Sequence, residues 1–369
     1  MSWNQAKNLL CIRLDTIGDV LMTTPAIRAL KESVPGRRIT LLTSSAGAEI
    51  APLIPELDRF LVYDSPWLKA TAPRSSPQPE YEMIDFLRKF GFDGAVIFTV
   101  YSQNPLPSAF LCYMAEIPLR LAHCHENPYQ LLTDWIKDPE PDRGIRHEVQ
   151  RQLDLVAEIG CQTQNEHLSL RVNEGDRTTI TQILDRLHLD HHPWIVIHPG
   201  ATAASRRYPP ESFAAVADQL VLKHNCSVIF TGTESEQGLV AQIQATMNAP
   251  SHSLVCRLTL GELAALIEMA PVLISNNTGP VHLAAAVGTP VVDLYALTNP
   301  QHTPWQVPNR VLFHDVPCKY CYKSICPEGH QDCLRQVTPD RVVQAARELL
   351  GEMGSSVEGI GCEPLSSRG

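Results

Sequence analysis

The stretch Ile274-Ser275-Asn276-Asn277-Thr278-Gly279-Pro280-Val281-His282-Leu283 carries residue types suited to holding an anion. The apolar run Pro271 to Ile274 reads as a buried parallel strand, Ser275 to Asn277 end it, and Thr278-Gly279-Pro280 turn the chain into a helix of small residues. The first N–H groups of such a helix have no intrahelical partner. Together with the helix dipole they favour a negative charge by typically ~0.3–1 kcal/mol. Thr278 and His282 stand four apart on one face of the first turn, so both can edge the same site. An ordinary strand-to-helix corner capped by Thr278 would show the same residues. A second junction of similar chemistry upstream argues for more.

That second junction is Ile197-His198-Pro199-Gly200-Ala201-Thr202-Ala203-Ala204-Ser205-Arg206-Arg207-Tyr208-Pro209. Its small residues let backbone approach a ligand. A guanidinium beyond them can grip a diphosphate in bidentate fashion, where Lys would act only as a point charge. Paired arginines before a helix are also common on solvated surfaces. A third junction, Phe230-Thr231-Gly232-Thr233-Glu234-Ser235-Glu236, ends in acids. A carboxylate there suits a ribose diol, because it only accepts and each hydroxyl can donate, although alone it reads as a helix-capping acid. Three such ends in one sheet point to a nucleotide-diphosphate site. None is a P-loop or a Gly-x-Gly-x-x-Gly, which argues against kinase and hydride-transfer chemistry.

The elements that position these stretches alternate between strand and helix in two rounds. In the first, strands are expected at Leu9–Leu14, Arg38–Thr43, Phe60–Tyr63 and Ala95–Val100, with an amphipathic helix over Ile145–Ile159. Between Asp15 and Leu30 a turn leads into a helix that either kinks at Pro25 or starts at Thr24. Ser65 to Glu80, rich in Pro and Ser, reads as a long loop. Beyond a polar helix and a linker at His191-His192-Pro193, strands are expected at residues 194–197, 227–230, 254–256, 272–274 and 291–294. The pattern is α/β, with two parallel sheets covered by helices and ligands at the carboxyl ends of strands. The expected boundaries are an N-terminal domain at 1–173, a linker helix at 174–193, a C-terminal domain at 194–351 and a disordered tail at 352–369.

Composition excludes several classes. A chain of 369 residues, 44% hydrophobic and 19% charged, is that of a two-domain globular protein. Its formal charge of -10 argues against a general nucleic-acid binder. No run reaches membrane-span length and no signal peptide opens the chain, so the expected location is cytoplasmic. Most of the eleven cysteines are scattered, several inside apolar runs, which suits a reducing compartment. Cys318, Cys321, Cys326 and Cys333 are the exception, four thiols gathered around His330. They could hold zinc tetrahedrally, though the spacing lacks two Cys-x-x-Cys knuckles, and cysteine packing is the other reading; catalysis ranks behind both. His123 and His125, around Cys124, read as surface or core residues rather than ligands.

Taken together, Arg13-Leu14-Asp15-Thr16-Ile17-Gly18-Asp19-Val20-Leu21, His147-Glu148-Val149 with Arg151, His198-Pro199-Gly200-Ala201, Arg206-Arg207-Tyr208-Pro209 and Asn277-Thr278-Gly279-Pro280-Val281-His282-Leu283-Ala284 resemble the heptosyltransferase family, glycosyltransferase family 9. The resemblance runs to about residue 350. It implies a GT-B architecture, two Rossmann-like domains with the active site in the cleft between them. It further implies an inverting, metal-independent transfer from a nucleotide-diphosphate sugar, most often ADP-heptose, with no cofactor required. The acceptor so implied is a glycolipid, the inner core of lipopolysaccharide, met at the cytoplasmic membrane face.

By that resemblance Asp19 is the general base, although alone it reads as a helix-cap acid. Arg206, where the family commonly has Lys, falls on the donor phosphates, and Thr202 and Ser205 on the donor-binding side. Glu236 falls on the ribose, and Asn277, Thr278, Gly279 and His282 on the donor-binding turn. Gly18, His147 and Arg151 fall on the acceptor side. Asn277 stands where the family usually has Asp, which leaves the donor sugar open. A family member with another donor, or a sugar-nucleotide-binding homologue without chemistry, are the alternatives. Lys69, Arg74, Arg88 and Lys89 cluster in and after the long loop, which suggests a peripheral membrane contact.

Overall fold

The computed structural model describes residues 1–68, 71–140, 144–189 and 193–358. His191, His192 and Lys69, named above, and the end of the expected tail from 359 onward lie outside the described residues. The chain forms two compact units. One is Met1–Asn173 together with Pro300–Trp305; the other is Glu174–Asn299 together with the chain from Gln306 onward.

In the first unit six strands form one sheet: β1 (Asn8–Ile12), β2 (Arg38–Thr43), β3 (Arg59–Val62), β4 (Gly94–Ile97), β5 (Leu119–His123) and β6 (Asp134–Ile136). Their order is β3-β2-β1-β4-β5-β6, and every pairing is parallel. Leu9, Leu10, Cys11 and Ile12 are all buried, as a strand covered by helices on both faces requires. Chain direction reverses its spread between β1 and β4, which opens a crevice at their carboxyl ends.

The second unit repeats the plan with β7 (Trp194–His198), β8 (Ser227–Phe230), β9 (His252–Ser253), β10 (Leu273–Asn276), β11 (Val291–Leu294) and β12 (Asn309–Leu312), in the order β12-β11-β10-β7-β8-β9. All of its pairings are parallel too. Its switch point lies between β7 and β10, the strands that carry the His198 and Asn277 junctions.

Several expectations are corrected. The helix after β1 runs from Ile17 to Ser33 straight through Pro25. Proline removes the N–H that should bond the Leu21 carbonyl, and the Thr24 hydroxyl donates to that carbonyl instead, at 2.6 Å. β4 stops at Ile97, because the next carbonyl but one, of Thr99, leaves the ladder for Gln152 Nε2 at 3.0 Å. The loop expected over 65–80 ends in a helix that already starts at Gln78. The short strand expected at 254–256 is instead His252–Ser253; Cys256 takes a left-handed φ of 59°, which a ladder does not accommodate. The helix Glu174–Arg186, expected as a linker, packs on the helix Leu260–Met269 of the second unit, with Arg177 paired to Glu268 at 2.6 Å. The last helix, Pro339–Glu358, continues into the stretch expected as tail.

Candidate active site

The carboxyl end of β1 is an ionic hub. Arg13, fully buried, lies 3.0 Å from Asp15, 3.2 Å from Asp19 and 2.8 Å from Glu148. Asp19 sits in the first turn of its helix, where Oδ2 accepts from the Thr16 N–H at 3.2 Å and the Thr16 hydroxyl at 2.8 Å. That is a capping box, so the cap reading is realised in geometry. The side chain is still 15% exposed, at the edge of the crevice. Burial works to raise its pKa, but Arg13, His302 and the Thr16 bonds outweigh it and hold Asp19 at about 2. Asp15 goes the other way: burial pushes it up to about 6 against the pull of Arg13. Two neighbouring carboxylates thus separate into one firmly ionised and one that keeps a proton into mildly acidic conditions.

His147 and Arg151, expected on the acceptor side, are frame residues here. His147 caps the helix Glu148–Ala157 by accepting from the Val149 N–H at 3.1 Å, contacts the Thr303 carbonyl at 2.8 Å and lies against the Trp305 ring. Burial lowers its pKa to about 4, so it stays neutral. Arg151 is buried and bonds Asp138 at 2.7 Å and the Thr99 carbonyl. Gly18 is buried within the helix Ile17–Ser33. His123 is likewise internal, with Nε2 3.1 Å from the Arg151 carbonyl, and His125 contacts the Tyr101 carbonyl. Of the basic residues near the long loop, Arg74 pairs with Glu80, and Arg88 with Asp85 and Glu116, which weakens the case for a cationic membrane patch. Among the described residues no helix is long and apolar enough to cross a membrane.

In the second unit the turn after β7 is held by its own second arginine. Arg207 Nε donates to the Ala201 carbonyl at 2.8 Å, which closes the turn on itself. Arg206 is half-buried, and its guanidinium has no hydrogen-bond or ion-pair partner among the described residues. The pair therefore divides into a brace and a free cation. Thr202 is exposed on the same turn. Ser205, expected at the donor, faces inward: its N–H donates to the Ser324 carbonyl at 3.0 Å and its hydroxyl to that of Lys323 at 2.7 Å.

Glu236 accepts from the Thr233 N–H at 2.7 Å and lies 3.7 Å from His198 Nε2. Burial lowers the His198 pKa although Glu236 opposes it. A methyl at Gly200 would stand 1.7 Å from Glu236 Oε1, so a larger residue there would displace this carboxylate from its present place. Thr278 is the extended residue before the helix Gly279–Val287, and Pro280 sits in the first turn, where its missing N–H costs nothing. His282 is buried in the same helix.

Two residues escaped sequence reasoning. Asn276 ties the two switch-point strands together, donating to the Pro199 carbonyl at 2.7 Å and accepting from the Tyr208 N–H at 3.0 Å. Asp293, fully buried on β11, accepts from Asn277 Nδ2 at 2.9 Å, and burial raises its pKa well above the carboxylate range. Its one legible signal was an acid inside the apolar run Val291–Leu294.

Two parallel, doubly wound sheet units in one chain are the GT-B architecture of nucleotide-sugar glycosyltransferases. Residues 87–331 match glycosyltransferase family 9 (heptosyltransferase), and the chain belongs to that family and is a glycosyltransferase. It is 25% identical to lipopolysaccharide heptosyltransferase 2 of Salmonella typhimurium over 94% of this chain and 99% of that one. A second relative, lipooligosaccharide heptosyltransferase 2 of Campylobacter jejuni, is 31% identical over 42% of this chain, which spans half of that protein. Among solved structures it superposes on a family 9 glycosyl transferase from Veillonella parvula with a TM-score of 0.81, at 23% identity and 95% and 98% coverage. It also resembles E. coli heptosyltransferase WaaC with ADP-2-deoxy-2-fluoro heptose, with a TM-score of 0.65, 18% identity, and 92% and 99% coverage.

Proposed function

We propose that the protein is an inverting heptosyltransferase that moves heptose from ADP-heptose onto the core of a lipopolysaccharide. The observation that carries this reading is the unpartnered Arg206 guanidinium, on the turn after β7 and so beside the switch point with β10, where the helix Gly279–Val287 begins. A fixed cation and free helix N–H groups are what a departing diphosphate needs, because its charge grows as the sugar bond breaks. Glu236 takes the ribose and Thr278 the phosphates. Relatives named as lipopolysaccharide heptosyltransferases support the acceptor, and the ADP-sugar complex of a structural neighbour supports the donor.

In the transfer, an acceptor hydroxyl oxygen attacks the anomeric carbon opposite the leaving ADP, and its proton passes to the Asp19 carboxylate. Asp19 is held ionised by Arg13 and the Thr16 bonds, and an ionised carboxylate is the form that can accept that proton. On this reading the enzyme works in the cytoplasm.

A thermal-shift panel of ADP, UDP, GDP, CMP and their sugar conjugates tests the donor. Selective stabilisation by ADP and ADP-heptose is expected, since a ligand that binds only the native state raises its stability. Selectivity for UDP or GDP would move the donor, and no response to any nucleotide would remove the donor site.

A further inference from the structure

We propose that Asn276 is a positioning residue for donor binding: its one side-chain amide pins both ends of the loop 199–208 and so holds the Arg206 guanidinium where a diphosphate meets it. The inference rests on the reading of Arg206 as the phosphate cation.

The loop leaves β7 at Pro199, carries Thr202 and Arg206, and leads into the helix Pro210–His224. Its backbone makes two bonds within itself, from the Arg206 N–H to the Ala203 carbonyl at 3.0 Å and from the Arg207 N–H to the Ala204 carbonyl at 3.3 Å. These close one short turn in the middle and leave both ends to be fixed by other groups. Asn276, the last residue of β10, fixes the two ends at once. It is fully buried; Nδ2 donates to the Pro199 carbonyl at 2.7 Å, and Oδ1 accepts from the Tyr208 N–H at 3.0 Å. The first carbonyl and the last N–H of the loop thus meet on one amide. Parallel pairing of β10 with β7, with Ser275 opposite His198, sets Asn276 beside the point where the loop departs. Asp at this position would lack the donor, and Leu would lack both groups.

Tyr208 is itself a fixed post. Its buried ring packs edge-on to Phe213 with centroids 5.2 Å apart, and its hydroxyl donates to the Val337 carbonyl at 2.7 Å. Between the ends, Arg207 Nε holds the Ala201 carbonyl at 2.8 Å, and Ser205 is held by the Lys323 and Ser324 carbonyls. Of the loop's two arginines only Arg206 has no such task. Its charge acts on Asp293, fully buried on β11, so the guanidinium stands near the ends of β10 and β11. A long side chain on a fixed backbone has fewer places to be, which leaves less ordering to be done when a ligand binds. Cutting the clamp would leave the Pro199 carbonyl and the Tyr208 N–H buried without partners. The loop would have to move to satisfy them, and Arg206 with it.

Asn276→Ala and Arg206→Ala, alone and combined, test this by calorimetry with ADP and with adenosine. Asn276→Ala is expected to weaken ADP roughly tenfold, as for residues coupled in one network, and to leave adenosine unchanged. In the Arg206→Ala background the same substitution should weaken ADP by less than about twofold, because the group it positions is gone. The same loss of ADP affinity in both backgrounds would overturn the proposal. Equal losses of ADP and adenosine would overturn it too, since a merely loosened fold produces them. The isosteric Asn276→Asp, which removes the donation to Pro199 and keeps an acceptor for Tyr208, runs the same cycle if the alanine variant does not fold. In the wild-type chain the Tyr208 amide should exchange with solvent as slowly as the strand amides of β10; exchange at the rate of an exposed loop would overturn the clamp. If Arg206→Ala itself leaves ADP binding unchanged, the phosphate role of Arg206 falls and this inference with it. If Arg206→Ala loses ADP without coupling to Asn276, this inference alone falls.

Discussion

The two units share one plan of sheet and place their polar residues at the same kind of switch point, yet they treat charge in opposite ways. At the end of β1 every strong charge is matched: Arg13 is surrounded by Asp15, Asp19 and Glu148, and Arg151 by Asp138 and the Thr99 carbonyl. At the end of β7 one arginine is used up in bracing its turn and the next is left without a partner. A cation that no hydrogen bond or ion pair holds is available to a ligand that brings an anion. A self-satisfied hub is instead a rigid platform that holds a few atoms in place.

The largest effect should come from the platform's one half-open member. Asp19→Ala is expected to lower the transfer rate by ~10²–10⁴-fold while ADP affinity stays nearly intact, measured by turnover and calorimetry. Equal loss of both would mean that Asp19 only caps its helix. Next is the hub's centre. Arg13→Gln leaves two or three buried carboxylates without their cation and should cost about 3–5 kcal/mol in urea unfolding. A near-neutral result would show that the hub is not rigidly paired.

In the other unit, Arg206→Ala should weaken ADP binding by about 1.5–3 kcal/mol and leave adenosine binding unchanged. Arg207→Ala should weaken ADP less, through a loosened turn. If the two variants behaved alike, the division between brace and free cation would collapse.

The smallest effect is one of pH. Folded Asp15 keeps its proton up to about 6, whereas unfolded it releases it near 3.8. The native state therefore binds more protons in that window, and on this account stability falls as pH rises through it. Asp19, held at about 2, acts oppositely: its contribution is present above the unfolded value and is lost as pH falls towards 2. Asp15→Asn should remove the decline between pH 4 and 6 in denaturation profiles, and an unaltered slope would reassign it to another group.

Several central strands could be read directly, because buried parallel strands are largely apolar runs: Leu9–Ile12 and Trp194–Ile197 are unbroken, and Val291–Leu294 is interrupted only by Asp293. Others could not. β5 is Leu-Arg-Leu-Ala-His, its apolar run broken by Arg120, β6 is Asp-Trp-Ile and β12 is Asn-Arg-Val-Leu, the last two half-exposed and polar at one end, and none of the three was expected. The three strand-end junctions of the second unit were legible because strand-to-helix turns bring sequence neighbours to one place. The hub was not, since Glu148 lies 135 residues from Arg13 and only folding unites them. For the same reason His147 and Arg151 stood out as motif residues while their partners at Thr303 and Asp138 gave no hint that both were already occupied.

The short return of the chain at Pro300–Trp305 limits how this protein can be divided or recombined. From this stretch Gln301 gives its carbonyl to the Glu148 N–H at 2.9 Å and its amide to Glu140 at 2.8 Å, Thr303 contacts His147, and Trp305 Nε1 donates to the Glu166 carbonyl at 2.8 Å. A gene fragment ending at Asn173 would therefore lack six residues of its own unit, including the partners of the helix that carries Glu148. Shuffling N-terminal halves between relatives at that boundary would produce mismatched proteins unless the hexapeptide travels with the half it completes. The heritable module is discontinuous, and exchange by a single crossover cannot move it whole.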